Sequence, residues 1–318
     1  MLSRPNKLLI MKIASLFSVV RGYNIPVIII AQYLSAIFIL APEKRALDLL
    51  FHLNLFLLVF ASSLTIASGY IINNFYDSQK DLINRPTKSM LDRLVSQKTK
   101  LNVYFALNFI VALMALFVSW RVFLFFSGYI FFIWLYSHKL KKKTVIGNLT
   151  AAVLAVMPFF AILLYFYTRI PFEDIENYKQ QLGVIFAHAS FLFLLLLVRE
   201  MIKDLENLQG DLANNYPTIP VVYGEKTAKK VISFLTFLSI LPVYILVDVY
   251  DVGYMAIYFY SSCIVLVFFV LYLWKSAVKK DYLVLHNVLK FLIVAGVFCI
   301  VLINPAVLWH GKKLLMTI

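Results

Sequence analysis

Residues 73–88, NNFYDSQKDLINRPTK, crowd amides and carboxylates where a long apolar run, from about Leu49 to Ile72, stops being apolar. On a helix continuing out of that run, Asn74, Asp77 and Asp81 recur at i, i+3 and i+7 and share one face. Asn73 lies four residues before Asp77 and joins it, and Arg85 and Lys88 follow. Carboxylates alone repel a phosphorylated ligand, but carboxylates holding a divalent cation bind one. A solvated helix end has the same local spacing, so this stretch alone leaves both readings open.

A second stretch, 199–211, REMIKDLENLQGD, also follows an apolar run, from about Leu182 to Val198. Asp204, Asn207 and Asp211 repeat the i, i+3, i+7 pattern 130 positions on, with Glu200 one turn earlier. Two such stripes, each closing a hydrophobic segment, point to the two halves of one metal–diphosphate site. Mg²⁺ held between them would take carboxylate oxygens from Asp77, Asp81, Asp204 and Asp211, and neutral oxygens from Asn73, Asn74 and Asn207. A ligand suited to that place is an isoprenyl diphosphate, whose headgroup needs a polar mouth and whose tail needs an apolar tunnel. Loss of its diphosphate leaves an allylic carbocation, which aromatic walls shield from water. The chain has 28 Phe and 19 Tyr to build them, although core or lipid packing accounts for most.

Other polar groups collect near the same ends. Arg21 and Asn24 fall inside the first apolar run, where a charge costs about 2.5–3.5 kcal/mol at mid-membrane and so needs a partner. Tyr136 and Lys141 leave the fourth run, in YSHKLKKK, within reach of the same mouth. The five histidines show no ligand spacing, and Cys263 and Cys299, both in apolar runs, read as packing residues.

The elements that must position these groups are membrane spans. Of 318 residues 62% are hydrophobic and only 14% charged, against about 25% charged in soluble domains. Nine runs are candidate spans, roughly 16–40, 48–72, 102–119, 121–136, 146–168, 182–202, 229–247, 253–274 and 288–309, of which the third and fourth are short and read as a tight helical hairpin. The fold class expected is all-α, a polytopic membrane protein with nine transmembrane helices in two pseudo-repeated halves around a central cavity. The chain reads as one domain over 1–318, with cap loops at about 82–100 and 205–228.

The net charge of +14 does not indicate nucleic acid, because the lysines and arginines sit in short connections between spans. They concentrate at the N-terminus and at the even-numbered exits. The connection 169–179 instead sets Arg169 and Lys179 against Glu173, Asp174 and Glu176. This pattern places the N-terminus and both acidic motifs at the cytoplasmic face of a cell membrane, and the C-terminus, with His310, outside.

The chain resembles the UbiA superfamily of intramembrane prenyltransferases, which carry two Asp-rich motifs after the second and sixth of nine helices. The resemblance rests on Asn73, Asn74, Asp77 and Asp81, on NRP at Asn84–Pro86, on Arg21 with Asn24, and on Tyr136 and Lys141 ahead of Gly147 and Asn148. It implies a Mg²⁺-dependent enzyme acting on a prenyl diphosphate and a membrane-soluble acceptor. Catalytic roles would fall to Asp77, Asp81, Asp204, Asp211, Tyr136 and Lys141. Substrate binding would fall to Arg21, Asn24, Asn73, Asn74, Arg85, Lys88, Arg199 and Lys203, and metal binding to the four Asp with Asn73 and Asn207. Asn74 stands where the family has its first Asp, and restoring it by Asn74→Asp is expected to be tolerated or to tighten Mg²⁺.

Within the superfamily, Arg199, Glu200, Lys203, Asp204, Glu206, Gly210 and Asp211 are similar to the digeranylgeranylglyceryl phosphate synthases, with Asn207 replacing an Asp. That implies geranylgeranylglyceryl phosphate as acceptor, a lipid biosynthesis role, and use for the surplus of cations near the mouth. An aromatic quinone precursor is the alternative acceptor. A membrane transporter is the reading from another class, but transporter sites sit near mid-membrane, whereas these carboxylates sit at span ends.

Overall fold

The computed structural model describes residues 4–167 and 179–305. Arg169, Glu173, Asp174, Glu176, His310 and the expected end of the ninth span lie outside the described residues. Those described fold as helices with no strand among them. Chain order runs α1 (Arg4–Val19), α2 (Ile25–Ser35), α3 (Ala46–Leu50), α4 (Leu53–Asp77), α5 (Lys80–Asn84) and α6 (Pro86–Asp92). Next come α7 (Gln97–Val118), α8 (Trp120–His138), α9 (Ile146–Tyr167), α10 (Lys179–Glu206) and α11 (Leu208–Ala213). The rest are α12 (Ile219–Tyr223), α13 (Glu225–Leu238), α14 (Ile240–Tyr244), α15 (Met255–Lys275) and α16 (Lys279–Cys299).

Nine helical stretches among the described residues are long and apolar enough to cross a membrane, and the protein is an integral membrane protein. They run 22–40, 53–77, 97–118, 120–142, 146–164, 179–206, 225–249, 255–275 and 279–302. The first is shorter than the sequence pattern suggests. The helix breaks after Val19, Arg21 takes a left-handed backbone (φ 48°), and a 3₁₀ turn at Gly22–Asn24 starts the span. Gly22 permits this, because a Cβ there would stand 2.2 Å from the Phe17 ring. Arg21 therefore occupies a break at the span's entry.

The α4 and α10 helices form the middle of the bundle. α4 packs on α7 and α8, and α10 on α9 and α16. Their inward faces are buried and apolar, including Leu55, Leu58, Ile71, Ile185, Leu195 and Ile202. Outer spans leave Phe109, Phe117, Phe268 and Phe291 exposed, as helices facing lipid do. The α7–α8 hairpin turns on the single extended residue Ser119, whose Oγ accepts from Val122 N at 3.2 Å to cap α8.

One break inside a span is satisfied from a neighbour. Pro158 within α9 has no N–H to give the carbonyl of Leu154, and Tyr129 of α8 donates its hydroxyl there at 2.8 Å. Gln32 of α2 donates to the Pro158 carbonyl at 2.8 Å. Three helices are thus fastened around one proline.

Candidate active site

The two acidic stripes do not each lie on one unbroken helix. Asn73, Asn74 and Asp77 are the last turn of α4, while Asp81 falls on α5 beyond a two-residue turn. Likewise Asp204 closes α10, Asn207 sits at the junction, and Asp211 is on α11. Both stripes bend over the end of their span. Gly210 makes their meeting possible, since a Cβ there would stand 2.1 Å from Asn84 Oδ1. That close approach seats α5 directly against α11.

Between these ends lies a cavity of about 80 Å³. Asn73, Asn74, Asp77 and Asp81 line it from the first motif, Glu200, Lys203, Asp204 and Asn207 from the second. Arg21, Arg85, Lys88, Tyr136 and Lys141 complete the set expected from the sequence. Three expected residues lie outside the lining. Asn24 bonds the Tyr70 hydroxyl at 3.3 Å, Arg199 contacts His286 at 3.2 Å, and Asp211 is fully buried against the Lys80 ammonium at 2.6 Å.

Cations hold the carboxylates in place. Lys141 Nζ lies 2.6 Å from Asp77 Oδ1 and 3.1 Å from Asn73 Oδ1. Asp77 also accepts from the Tyr216 hydroxyl at 3.3 Å, and Asp204 from Asn148 Nδ2 at 2.8 Å. Lys203 pairs with Glu200. Burial pushes the Asp81 carboxyl above its ordinary value, assisted by Asp77 and opposed by Arg85, Arg21 and Lys88. Asp211 is raised by burial against the opposing pull of Lys80, and Tyr216 is raised by burial and the neighbouring carboxylates.

Spacing could not reveal several of these partners. Lys80 stands inside the first stretch with nothing in its spacing to tie it to the second; it holds Asp211 and lies 4.2 Å over the Tyr216 ring. Tyr216 and Thr218 come from the connection between α11 and α12, which has no periodic pattern to mark them. Asn148 carried a signal, its place beside Gly147 in the family pattern.

The donor set suits a hard cation: every candidate ligand offers oxygen. Asn207 Oδ1 is buried with no hydrogen-bond partner, an oxygen available to a ligand in the cavity. No three acidic, His or Cys groups among the described residues converge on one point. Carboxylates of both motifs instead share the lining of one cavity, a donor set that suits Mg²⁺ bound by one or two carboxylates and completed by phosphate oxygens. The residues present fit such an ion.

Relatives share this architecture. The digeranylgeranylglyceryl phosphate synthase of Pyrococcus horikoshii is 30% identical over 192 residues, 60% of this chain and 65% of that protein. That of Methanobrevibacter smithii is 26% identical over 249 residues, covering 75% and 80%. The chain thus spans just under two thirds of the Pyrococcus protein's length. A solved structure of digeranylgeranylglyceryl phosphate synthase in membranes matches with TM-score 0.66 at 19% identity, over 92% of this chain and 98% of that one. A UbiA homologue from Archaeoglobus fulgidus, bound to DMAPP and Mg²⁺, matches with TM-score 0.61 at 15% identity, over 90% and 99%. These superpositions bear on the fold. The pattern of the UbiA prenyltransferase family matches residues 29–292, most of the sequence, and the chain belongs to that family.

Proposed function

We propose that the protein transfers a prenyl group from its diphosphate, with Mg²⁺, to a lipid acceptor, geranylgeranylglyceryl phosphate. The observation that carries this reading is the meeting of two carboxylate-bearing span ends on one cation-rimmed cavity. Magnesium bound there would neutralise the diphosphate and the charge that builds on it as the C–O bond breaks. Asp77, Asp81, Asp204 and Asn207 are the residues to hold it, with Asn73 beside them, while Asp211 is held outside the lining by Lys80.

The chain's own groups do the rest. Lys141 and Lys203 already lie among the carboxylates and supply ammonium donors to phosphate oxygens. Arg21, Arg85 and Lys88 add positive charge to the lining. Tyr70 and Tyr136 place aromatic rings there, suited to shielding an electron-poor prenyl carbon from water. The acceptor's hydroxyl oxygen bonds that carbon, the departing diphosphate keeps the electron pair of the broken bond, and the hydroxyl proton passes to that diphosphate. The names of the relatives support the acceptor, and the ligands of the Archaeoglobus homologue support the donor class and the metal.

Purified protein with Mg²⁺ and geranylgeranyl diphosphate tests the proposal. Transfer to geranylgeranylglyceryl phosphate and little to 4-hydroxybenzoate is expected. EDTA or Asp77→Ala should lower the rate about 100-fold or more. Full activity in EDTA would refute the metal's part, and preference for the phenol would move the protein to quinone precursors.

A further inference from the structure

A second cleft, of about 390 Å³, lies beside the first and shares Asn84, Arg85 and Lys88 with it. The segment 84–88 is therefore a partition with one cavity on each side. The remaining lining includes Lys279, Leu283 and His286 from the first turns of α16, and Glu206 from the end of α10. Three fixed cations face one carboxylate in the lining, and Asp92 behind it takes Lys88, so an excess of one positive charge remains before His286 is counted.

These cations are held, but not used up. Lys279 Nζ donates to the Asn84 carbonyl at 2.9 Å, a neutral partner that leaves its charge uncompensated. Arg85 approaches Glu206 only to 3.8 Å, and Lys88 meets Asp92 at 3.2 Å. Glu206 also lies 3.3 Å from His286, so it steadies Arg85 and His286 together. An ammonium has three donors and a guanidinium five, so most remain available. Leu283, 45% exposed, gives the cleft an apolar edge on a membrane-spanning helix.

We propose that this cleft binds the phosphate monoester of the lipid acceptor, through Arg85, Lys88 and Lys279, while the prenyl diphosphate occupies the neighbouring cavity. A phosphate monoester is drawn by the net positive lining and offers acceptors for several charge-assisted bonds to the ammonium and guanidinium donors left over. In a glycerol phosphate the attacking hydroxyl is two carbons from the phosphate ester oxygen. A phosphate on one side of the 84–88 partition thus keeps the hydroxyl close to the other. The assignment rests on the transfer reading above and deepens it.

The test uses full-length protein in detergent, titrated with geranylgeranylglyceryl phosphate and with its dephosphorylated analogue, prenyl diphosphate absent. Wild type should bind the phosphorylated form at least about tenfold more tightly. Asn287 lines the cleft and can be charged either way. Asn287→Glu should reduce the ratio about tenfold and Asn287→Lys should hold or raise it. Opposite signs at one position cannot come from misfolding. Lys279→Gln should raise the acceptor KM and leave kcat and the KM for prenyl diphosphate in place.

Equal binding of the two lipids, or a ratio indifferent to the charge at 287, overturns the proposal. Competition by short-chain phosphatidylglycerol at equal concentration would make the cleft a bilayer headgroup site and also overturns it. A charge-dependent ratio without any transfer supports the phosphate site and refutes the transfer reading. Transfer with no response at 287 or 279 does the reverse.

Discussion

The amide of Asn74 divides its two ends between opposite charges. Its Nδ2 donates to Asp92 Oδ2 at 3.0 Å, and its Oδ1 accepts from Lys100 Nζ at 2.8 Å. Asp92 also takes Lys88 at 3.2 Å and the Ser18 hydroxyl at 2.7 Å, so one network joins α1, α4, α6 and α7. An Asp at 74 would keep the bond from Lys100 and lose the donor to Asp92, leaving two carboxylates about 3 Å apart. Asn74→Asp is therefore predicted to lower stability by about 1–3 kcal/mol, seen as a lower melting temperature in detergent. Asp92→Asn on top of it should recover most of the loss by restoring one amide and one acid. Additive losses in that double-mutant cycle would refute the coupling. From the sequence alone Asn74 read as a weakened ligand whose reversal to Asp should be harmless. Its type and spacing were visible, but partners 18 and 26 residues away were not. For Asp77 the helix face was legible and Lys141 was placed at the same mouth, but the partner Tyr216, from an aperiodic connection, was not legible.

Helices here are set by apolar length and broken by identifiable residues. The nine spans were readable because hydrocarbon tolerates only long, internally bonded apolar helices. Their ends were less so. The pattern carried the first span back to residue 16, while Arg21 and Gly22 break the helix; it stopped the second span at 72 with the helix running on through Asp81, while α4 ends at Asp77. Polar side chains ended the apolar count before they ended the helix. A second element-scale feature is the proline repair in α9. Tyr129→Phe removes the hydroxyl that satisfies the Leu154 carbonyl and should cost about 1–3 kcal/mol, measured as reduced thermal stability. Pro158→Ala supplies an N–H to that same carbonyl, so in its background Tyr129→Phe should cost much less. An undiminished penalty in the double variant would show that Tyr129 matters for packing instead of for the hydrogen bond.

Charge placement across the entire molecule sets how the site is presented. The connections that carry the acidic motifs also carry Arg85, Lys88, Arg93, Lys98 and Lys226, whereas the turn between the first two spans pairs Lys44 and Arg45 with Glu43 and Asp48. Arg45 in fact meets Asp48 at 2.8 Å, so its charge is partly spent locally. Positive residues in short connections tend to stay on the cytoplasmic side, so the prediction is that the mouth of the cavity opens to the cytoplasm, where a water-soluble diphosphate headgroup would meet it. Arg93 and Glu43 are both exposed, and each follows a span end, on opposite sides if the second span crosses once. In a background with Cys263 and Cys299 replaced, Arg93→Cys should resist an impermeant maleimide in intact cells and react after permeabilisation. Glu43→Cys should react without permeabilisation. Labelling of both from outside would mean that the span between them does not cross, and the cavity at its end would lose its cytoplasmic address. Labelling in the reverse order would keep the fold and turn the mouth outward, leaving the diphosphate without access from the cytoplasm.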